Sequence, residues 1–203
     1  MFTDEKIFTR NGYFNPKNDA VWANNRNDAN EYGGIREREK YPVSIMVALG
    51  ATWNGITVPF FFQRSERLNG KTYLDELLPF YQMEGDRLFE HQNWGFQQDG
   101  ASCHTDKSVK KWCKKNSSFY FISKGKWPPN SPELNPLDYS IWNSISNSVD
   151  HYKVKIINDL RREIEKAMKK IDVNYVQNTI SFFLRRVRSV EKHNDELIID
   201  EHC

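Results

Sequence analysis

Trp94-Gly95-Phe96-Gln97-Gln98-Asp99-Gly100 is the stretch from which the rest of the chain is read. Its aromatic and amide alternation predicts a short strand over 94–98, and Gly100 permits the tight turn that ends it directly after Asp99. Next, Val109, Trp112 and Cys113 fall on one helical face with lysines on the other, so a helix is expected from Asp106 to Lys115. Phe119 to Ile122 reads as a further strand. A strand, an acidic turn, a helix and a strand make the repeating unit of a layered α/β domain.

Working outward, Val43 to Trp53 is apolar and β-branched, and Asn54-Gly55 turns it into an extended run from Thr57 to Gln63, a hairpin pattern. Leu74, Leu77, Leu78 and Tyr81 predict a helix over 72–83. The prolines of 126–132 exclude regular structure there. Asn135-Pro136 reads as a helix start, with Leu137, Ile141 and Ile145 forming an apolar stripe and Trp142 beside it. Two more helices are expected, over 158–170 and 173–190. The fold class expected is α/β, with a central sheet and late helices.

Length and composition agree with one folded domain: 203 residues, 38% hydrophobic and 14% aromatic. The 29 basic and 27 acidic residues leave a net charge of only +2, so any affinity for nucleic acid must come from local patches. Two patches stand out, Lys107 to Lys115 continued by Lys124 and Lys126, and Arg185-Arg186-Arg188. Each reads equally well as a solvated helix face. Cys103, Cys113 and Cys203 have neither metal-ligand spacing nor an even count for disulfides, which fits a reducing intracellular compartment. No apolar run is long enough to span a bilayer, so no membrane partner is expected.

Asp4, Asp99 and Asp138 are the candidate chemical groups. Asp4 and Asp99 lie at or near strand ends, and Asp138 lies in the first turn of a helix behind a rigid loop, places where side chains are held accurately. Three converging carboxylates repel one another unless hard cations lie between them, which points to Mg²⁺ or Mn²⁺. The helix N-terminus is expected to favour ionised Asp138, and simple helix capping is its alternative role. Trp127 and Trp142 either stack on an exposed base or, as expected here, pack the loop and helix around the carboxylates.

Several ordered blocks carry a family resemblance. Phe2-Thr3-Asp4-Glu5-Lys6 with Asn15-Pro16-Lys17-Asn18-Asp19, then Gln97-Gln98-Asp99-Gly100-Ala101-Ser102-Cys103-His104-Thr105, then Trp127 to Tyr139 ending in Asn135-Pro136-Leu137-Asp138, together resemble the catalytic domain of Tc1/mariner-type DNA transposases of the DDE/D superfamily. The resemblance covers residues 1–190 and implies a ribonuclease-H-like fold, a central mixed β-sheet flanked by helices with additional C-terminal helices, followed by an acidic tail over 191–203. It assigns Asp4, Asp99 and Asp138 as catalytic metal ligands for two Mg²⁺ ions, with Mn²⁺ as substitute. The 38 residues between Asp99 and Asp138 form a slightly longer interval than in better-known branches. Glu133 is the competing third carboxylate, set aside because it remains in the loop.

The implied reaction is strand cleavage at transposon ends followed by strand transfer into target DNA, with double-stranded DNA as partner and the nucleus as the place of work. A homodimer, or association with a full-length transposase, is a further expectation. His104, Lys107, Lys110, Lys111, Lys114, Arg185, Arg186 and Arg188 are the candidate DNA contacts, mostly to phosphate. The family usually places paired helix-turn-helix modules before this domain, whereas three residues precede Asp4 here. A shortened first strand and no autonomous transposition are therefore expected. A catalytically silent DNA-binding or protein-interaction module and a non-specific metal-dependent nuclease are the alternatives.

Overall fold

The computed structural model describes residues 1–10, 22–31, 42–63, 68–115, 119–122, 127–128 and 131–192. The Asn15–Asp19 part of the first block, Lys124, Lys126, and all of the expected acidic tail beyond Lys192 lie outside the described residues.

β1 (Phe2–Thr9) pairs antiparallel along its whole length with β2 (Ser44–Thr52), Asp4 opposite Leu49. The third strand comes in two pieces, β3 (Gly55–Ile56) and β4 (Phe60–Phe61), both paired with β2. Ala51 faces Ile56 whereas Val47 faces Phe61, so one extra residue bulges out between the pieces, where Pro59 has no N–H to donate. The expected Asn-Gly turn enters β3, with Gly55 at φ +128°, a conformation that L side chains avoid. On its other edge β1 meets the chain just after β5 (Trp94–Phe96): Phe2 bridges Gln97 in parallel, and β5 pairs in parallel with β6 (Phe119–Phe121). Across the layer the order is β3/β4, β2, β1, β5, β6, the mixed sheet of a ribonuclease-H-like fold.

Helices cover both faces. Ile45, Val47, Leu49 and Ala51 of β2 point into a core with Leu137, Ile141, Ile145, Leu160, Ile164 and Val176. These come from a π-helical turn (Leu137–Ile141) running into α5 (Trp142–Ser148), from α6 (Ile157–Met168) and from α7 (Val173–Ser181). Ala48 points the other way, among Tyr73, Leu77, Tyr81, Trp94, Phe96 and Val109. Those belong to a π-helical turn (Tyr73–Leu77) that follows the short α2 (Gly70–Thr72), to α3 (Leu78–Leu88) and to α4 (Lys107–Lys115), besides β5. Burial on both faces explains why Val43 to Trp53 lacks polar alternation. A four-residue α1 (Arg26–Ala29), capped by Asn25, stands apart from either core.

Helix boundaries differ from expectation in places. The helix expected over 72–83 continues to Leu88. The helix expected over 173–190 breaks at Phe182 into α7 and α8 (Phe183–Lys192), which lets Phe183 turn inward and stack on Trp127. The first strand is eight residues long and fully paired with β2.

At Gly85 of α3 the helix backbone lies directly against a side chain of the sheet. A Cβ there would lie 2.2 Å from the ring of Trp94. That ring cannot give way easily: it is buried, stacks on Phe89 with an interplanar angle of 3°, and donates from Nε1 to Asp86 at 3.0 Å. Gly85→Ala should gain about 1 kcal/mol of helix propensity and lose about 1–3 kcal/mol or more by overpacking. Urea unfolding is expected to show a net loss on the order of 1–2 kcal/mol, and an unchanged midpoint would mean that Trp94 shifts freely.

Candidate active site

Each aspartate is delivered by a different element. Asp4 is the third residue of β1, on the same strand face as Phe8, which packs on Trp142 at 5.8 Å between ring centres. Trp142 Nε1 donates to Asp4 Oδ2 at 2.6 Å. Asp99 follows the Gln97 bridge, and its Oδ1 accepts both the Ala101 N–H at 2.9 Å and His104 Nδ1 at 2.5 Å. Asp138 lies in the π-helical turn. Asn135 ties that turn to the sheet, accepting the Leu137 N–H on Oδ1 and donating from Nδ2 to the Thr3 carbonyl, both at 3.1 Å. One buried amide thus links the neighbour of Asp4 to the neighbour of Asp138.

All three aspartates line one cleft of ≈ 580 Å³. Gln97, His104 and Lys110 share its walls with Trp127 and Pro128. The loop that carries Asp99 and His104 is locked from beneath: Tyr73 donates to Gln98 Oε1 at 2.5 Å, and Gln98 Nε2 donates to the His104 carbonyl at 3.0 Å. Among the described residues, no three His, Cys, Asp or Glu side chains yet stand close enough to enclose an ion. Asp4 and Asp138 lie close enough for each charge to act on the other, and Asp99 is drawn to His104.

The charges explain that arrangement. Burial raises Asp4 above the ordinary carboxylate range, against the opposing Trp142 hydrogen bond, and the Asp99 charge adds to the rise. Burial, then the charges of Asp4 and Asp99, push Asp138 up to about 7, with Lys6 pulling the other way. The expectation that its helix terminus keeps Asp138 readily ionised is therefore corrected: a macrodipole worth about 0.3–1 kcal/mol does not offset two nearby carboxylates in a partly dry cleft. The hydrogen bond from His104 instead lowers Asp99. For His104, burial opposes the charged form, but Asp99, Cys103 and Glu5 outweigh it and raise the ring to about 10. Such a site holds carboxylates at the cost of mutual repulsion. Hard divalent cations fit that donor set.

The candidate DNA contacts separate into two groups. Lys110 lines the cleft, and Lys107, Lys111 and Lys114 are exposed on the same helix. Arg188 is exposed, and Arg185 lies over the Phe182 ring at 5.1 Å. Arg186 does something else: its guanidinium covers Tyr139 at 4.2 Å and reaches the Glu133 carbonyl at 3.5 Å, holding the loop before Asp138. His104 is only 3% exposed, with Nδ1 on Asp99 and its ring 4.2 Å from that of Tyr73, so it supports a carboxylate and has no free face for phosphate. Glu133 is not among the cleft walls.

The two tryptophans pack, as expected. Trp127 stacks on Phe183 at 1° and meets Phe2 edge-on, while Trp142 is buried beneath Asp4. Glu5 was not singled out from sequence. Its side chain lies on the opposite strand face from Asp4, accepting from Tyr81 OH at 3.2 Å and standing 3.7 Å from His104 Nε2. Strand alternation over 2–9 is the signal that exposes it.

No family model matches the chain. Over 99 residues, 49% of this chain and 34% of the relative, it is 27% identical to the transposase of transposable element Tcb1 of Caenorhabditis briggsae. Over 95 residues it is 24% identical to the Tcb2 transposase of the same organism, covering 47% and 33% of the two chains. The matched region spans about a third of the length of these relatives. Among solved structures, the Mos1 transposase paired-end complex with the left transposon end superposes with TM-score 0.73 at 14% identity, covering 97% of this chain and 55% of that one. The catalytic domain of Mos1 mariner transposase superposes at 0.66, also at 14% identity, covering 77% of each. A third, the Mos1 mariner paired end complex with Mn, reaches 0.74 at 14% identity, covering 97% and 56%. Sequence match, motif order and fold converge: the chain is similar in sequence to Tc1-type transposases and carries the fold of the Mos1 mariner transposase catalytic domain.

Proposed function

We propose that the chain catalyses metal-dependent phosphoryl transfer on DNA, cleaving strands at transposon ends and joining them to target DNA. The observation that carries this reading is the convergence of Asp4, Asp99 and Asp138, from three separate elements, on one open cleft with a lysine on its wall. Asp4, Asp99 and Asp138 would hold the cations, Mg²⁺ or Mn²⁺. A bound pair supplies an activated water or DNA 3′-hydroxyl and a stabilised leaving oxygen. The chain's own residues do the orienting. Trp142 fixes Asp4, His104 and the Ala101 N–H fix Asp99, and Asn135 fixes the turn that bears Asp138. Double-stranded DNA is the partner, the nucleus is where such a substrate lies, and a homodimer would bring two transposon ends together.

The test is a labelled duplex with a nicked or branched end, incubated with the chain in Mn²⁺ or in EDTA. Cleaved or joined product in the metal lane alone is expected. Two blank lanes from folded, DNA-binding protein would leave a silent module, and indiscriminate digestion without joining would leave a nuclease.

Lys110 gives a separate expectation. It is the α4 lysine that reaches the cleft wall, so Lys110→Ala should weaken duplex binding alike for all sequences and reduce the slope of log K against log salt by about one. Fluorescence anisotropy at several salt concentrations measures this. An unchanged slope would remove Lys110 from the phosphate path.

A further inference from the structure

We propose that Glu5 is a positioning residue of the metal site, acting through His104 to decide which oxygen of Asp99 is offered to a cation. The inference rests on reading the three aspartates as metal ligands.

Asp99 Oδ1 is already saturated, since it accepts the Ala101 N–H at 2.9 Å and His104 Nδ1 at 2.5 Å. Its Oδ2 is the oxygen left to offer to a cation. The choice depends on the plane of the imidazole. Tyr73 lies against one face of that ring, 4.2 Å between centres. At its far edge, Nε2 is buried with no hydrogen-bond partner and stands 3.7 Å from Glu5 Oε2. A buried N–H left unpaired is costly, so a carboxylate within a small shift of it is a strong attractor. Glu5 is in turn held by Tyr81 OH on Oε1 at 3.2 Å. Tyr81, Glu5, His104 and Asp99 form a chain from the helical layer to the cleft. Glu5 lies on the strand face opposite Asp4, and the site residue its carboxylate stands against is His104.

Outer partners of metal ligands are typically worth 10–100-fold in affinity. The test titrates Mn²⁺ alone into the chain by calorimetry, with thermal unfolding as a check of folding. His104→Ala should weaken Mn²⁺ binding by about 10–100-fold. His104→Asn, whose amide nitrogen can stand near the position of Nδ1, should recover most of that loss. Glu5→Gln should weaken binding several-fold in the parent and have no further effect in His104→Ala.

Parent-like affinity in a folded His104→Ala variant overturns the inference, and so does a His104→Asn variant as weak as His104→Ala. A full Glu5→Gln effect in the His104→Ala background overturns it too, because Glu5 would then touch the metal by itself. If the parent fails to bind Mn²⁺ at all, the metal-site reading falls and takes this one with it.

Discussion

Asp138→Asn is expected to make the metal-free chain more stable and to abolish its function. Burial and the charges of Asp4 and Asp99 raise the folded-state pKa of Asp138 to about 7 from an ordinary value of 3.8. Between those values the folded chain holds a proton that the unfolded chain has released, so stability falls as pH rises. Above about 7 the whole penalty is present. Asparagine removes it at every pH. Asp138 is partly solvated and screening shrinks the effect, so a gain on the order of 1 kcal/mol, about 2–4 °C for a chain of this size, is expected at pH 8 in EDTA. Saturating Mn²⁺ should reverse the order, because only the parent gains the binding free energy of the ion.

Cleavage should fall by more than about 100-fold, since outer partners alone are commonly worth 10–100-fold. The same linkage gives the parent a pH signature: Mn²⁺ must displace the Asp138 proton, so affinity should rise with pH and level off above about 7. Thermal scans with and without metal, at pH 6 and pH 8, measure both statements. A variant no more stable than the parent in EDTA would show that the carboxylates do not strain the fold.

That strain also explains what could and could not be read from the chain. β2 was legible because it is buried on both faces and so carries an unbroken apolar run. β1 was not legible as an eight-residue strand, because Asp4, Glu5 and Lys6 occupy its middle, where local propensity asks for β-branched or aromatic residues. Such conflicts between local and global preference are expected at functional sites. The fold class, and the choice of three aspartates that meet in one cleft, were carried by ordered motifs. Their protonation was not, because it depends on distances between residues up to 134 positions apart, Asp4 to Asp138, that no local window contains.

The break at Phe182 and the two π-helical turns were hidden for a similar reason. Nothing in 173–190 marks a stop, and the break serves the packing of Phe183 on Phe2 and Trp127. The π-helical turn over Leu137–Ile141 begins at an expected helix start, but its extra residue per turn answers to what packs around it. Arg186 looked like part of a basic patch, and only the fold shows it lying on Tyr139.

Trp142→Phe carries the other large expectation. Phenylalanine keeps most of the ring that packs on Phe8 and removes the Nε1–H that Asp4 Oδ2 accepts at 2.6 Å. Without that donor Asp4 is buried with one fixed partner fewer, its carboxylate rotates more freely, and its ionised form becomes costlier. Both consequences work against a cation: the ligand is less often charged and less often aimed. Mn²⁺ affinity and cleavage should each fall by about 10–100-fold, with a separate packing loss on the order of 1–3 kcal/mol from the smaller ring. The two effects separate with pH. Raising pH restores the charge of Asp4 and recovers part of the affinity, but it leaves the packing loss untouched. If Trp142→Phe binds Mn²⁺ like the parent while losing only stability, Trp142 is a core residue and Asp4 is held in place by the strand alone.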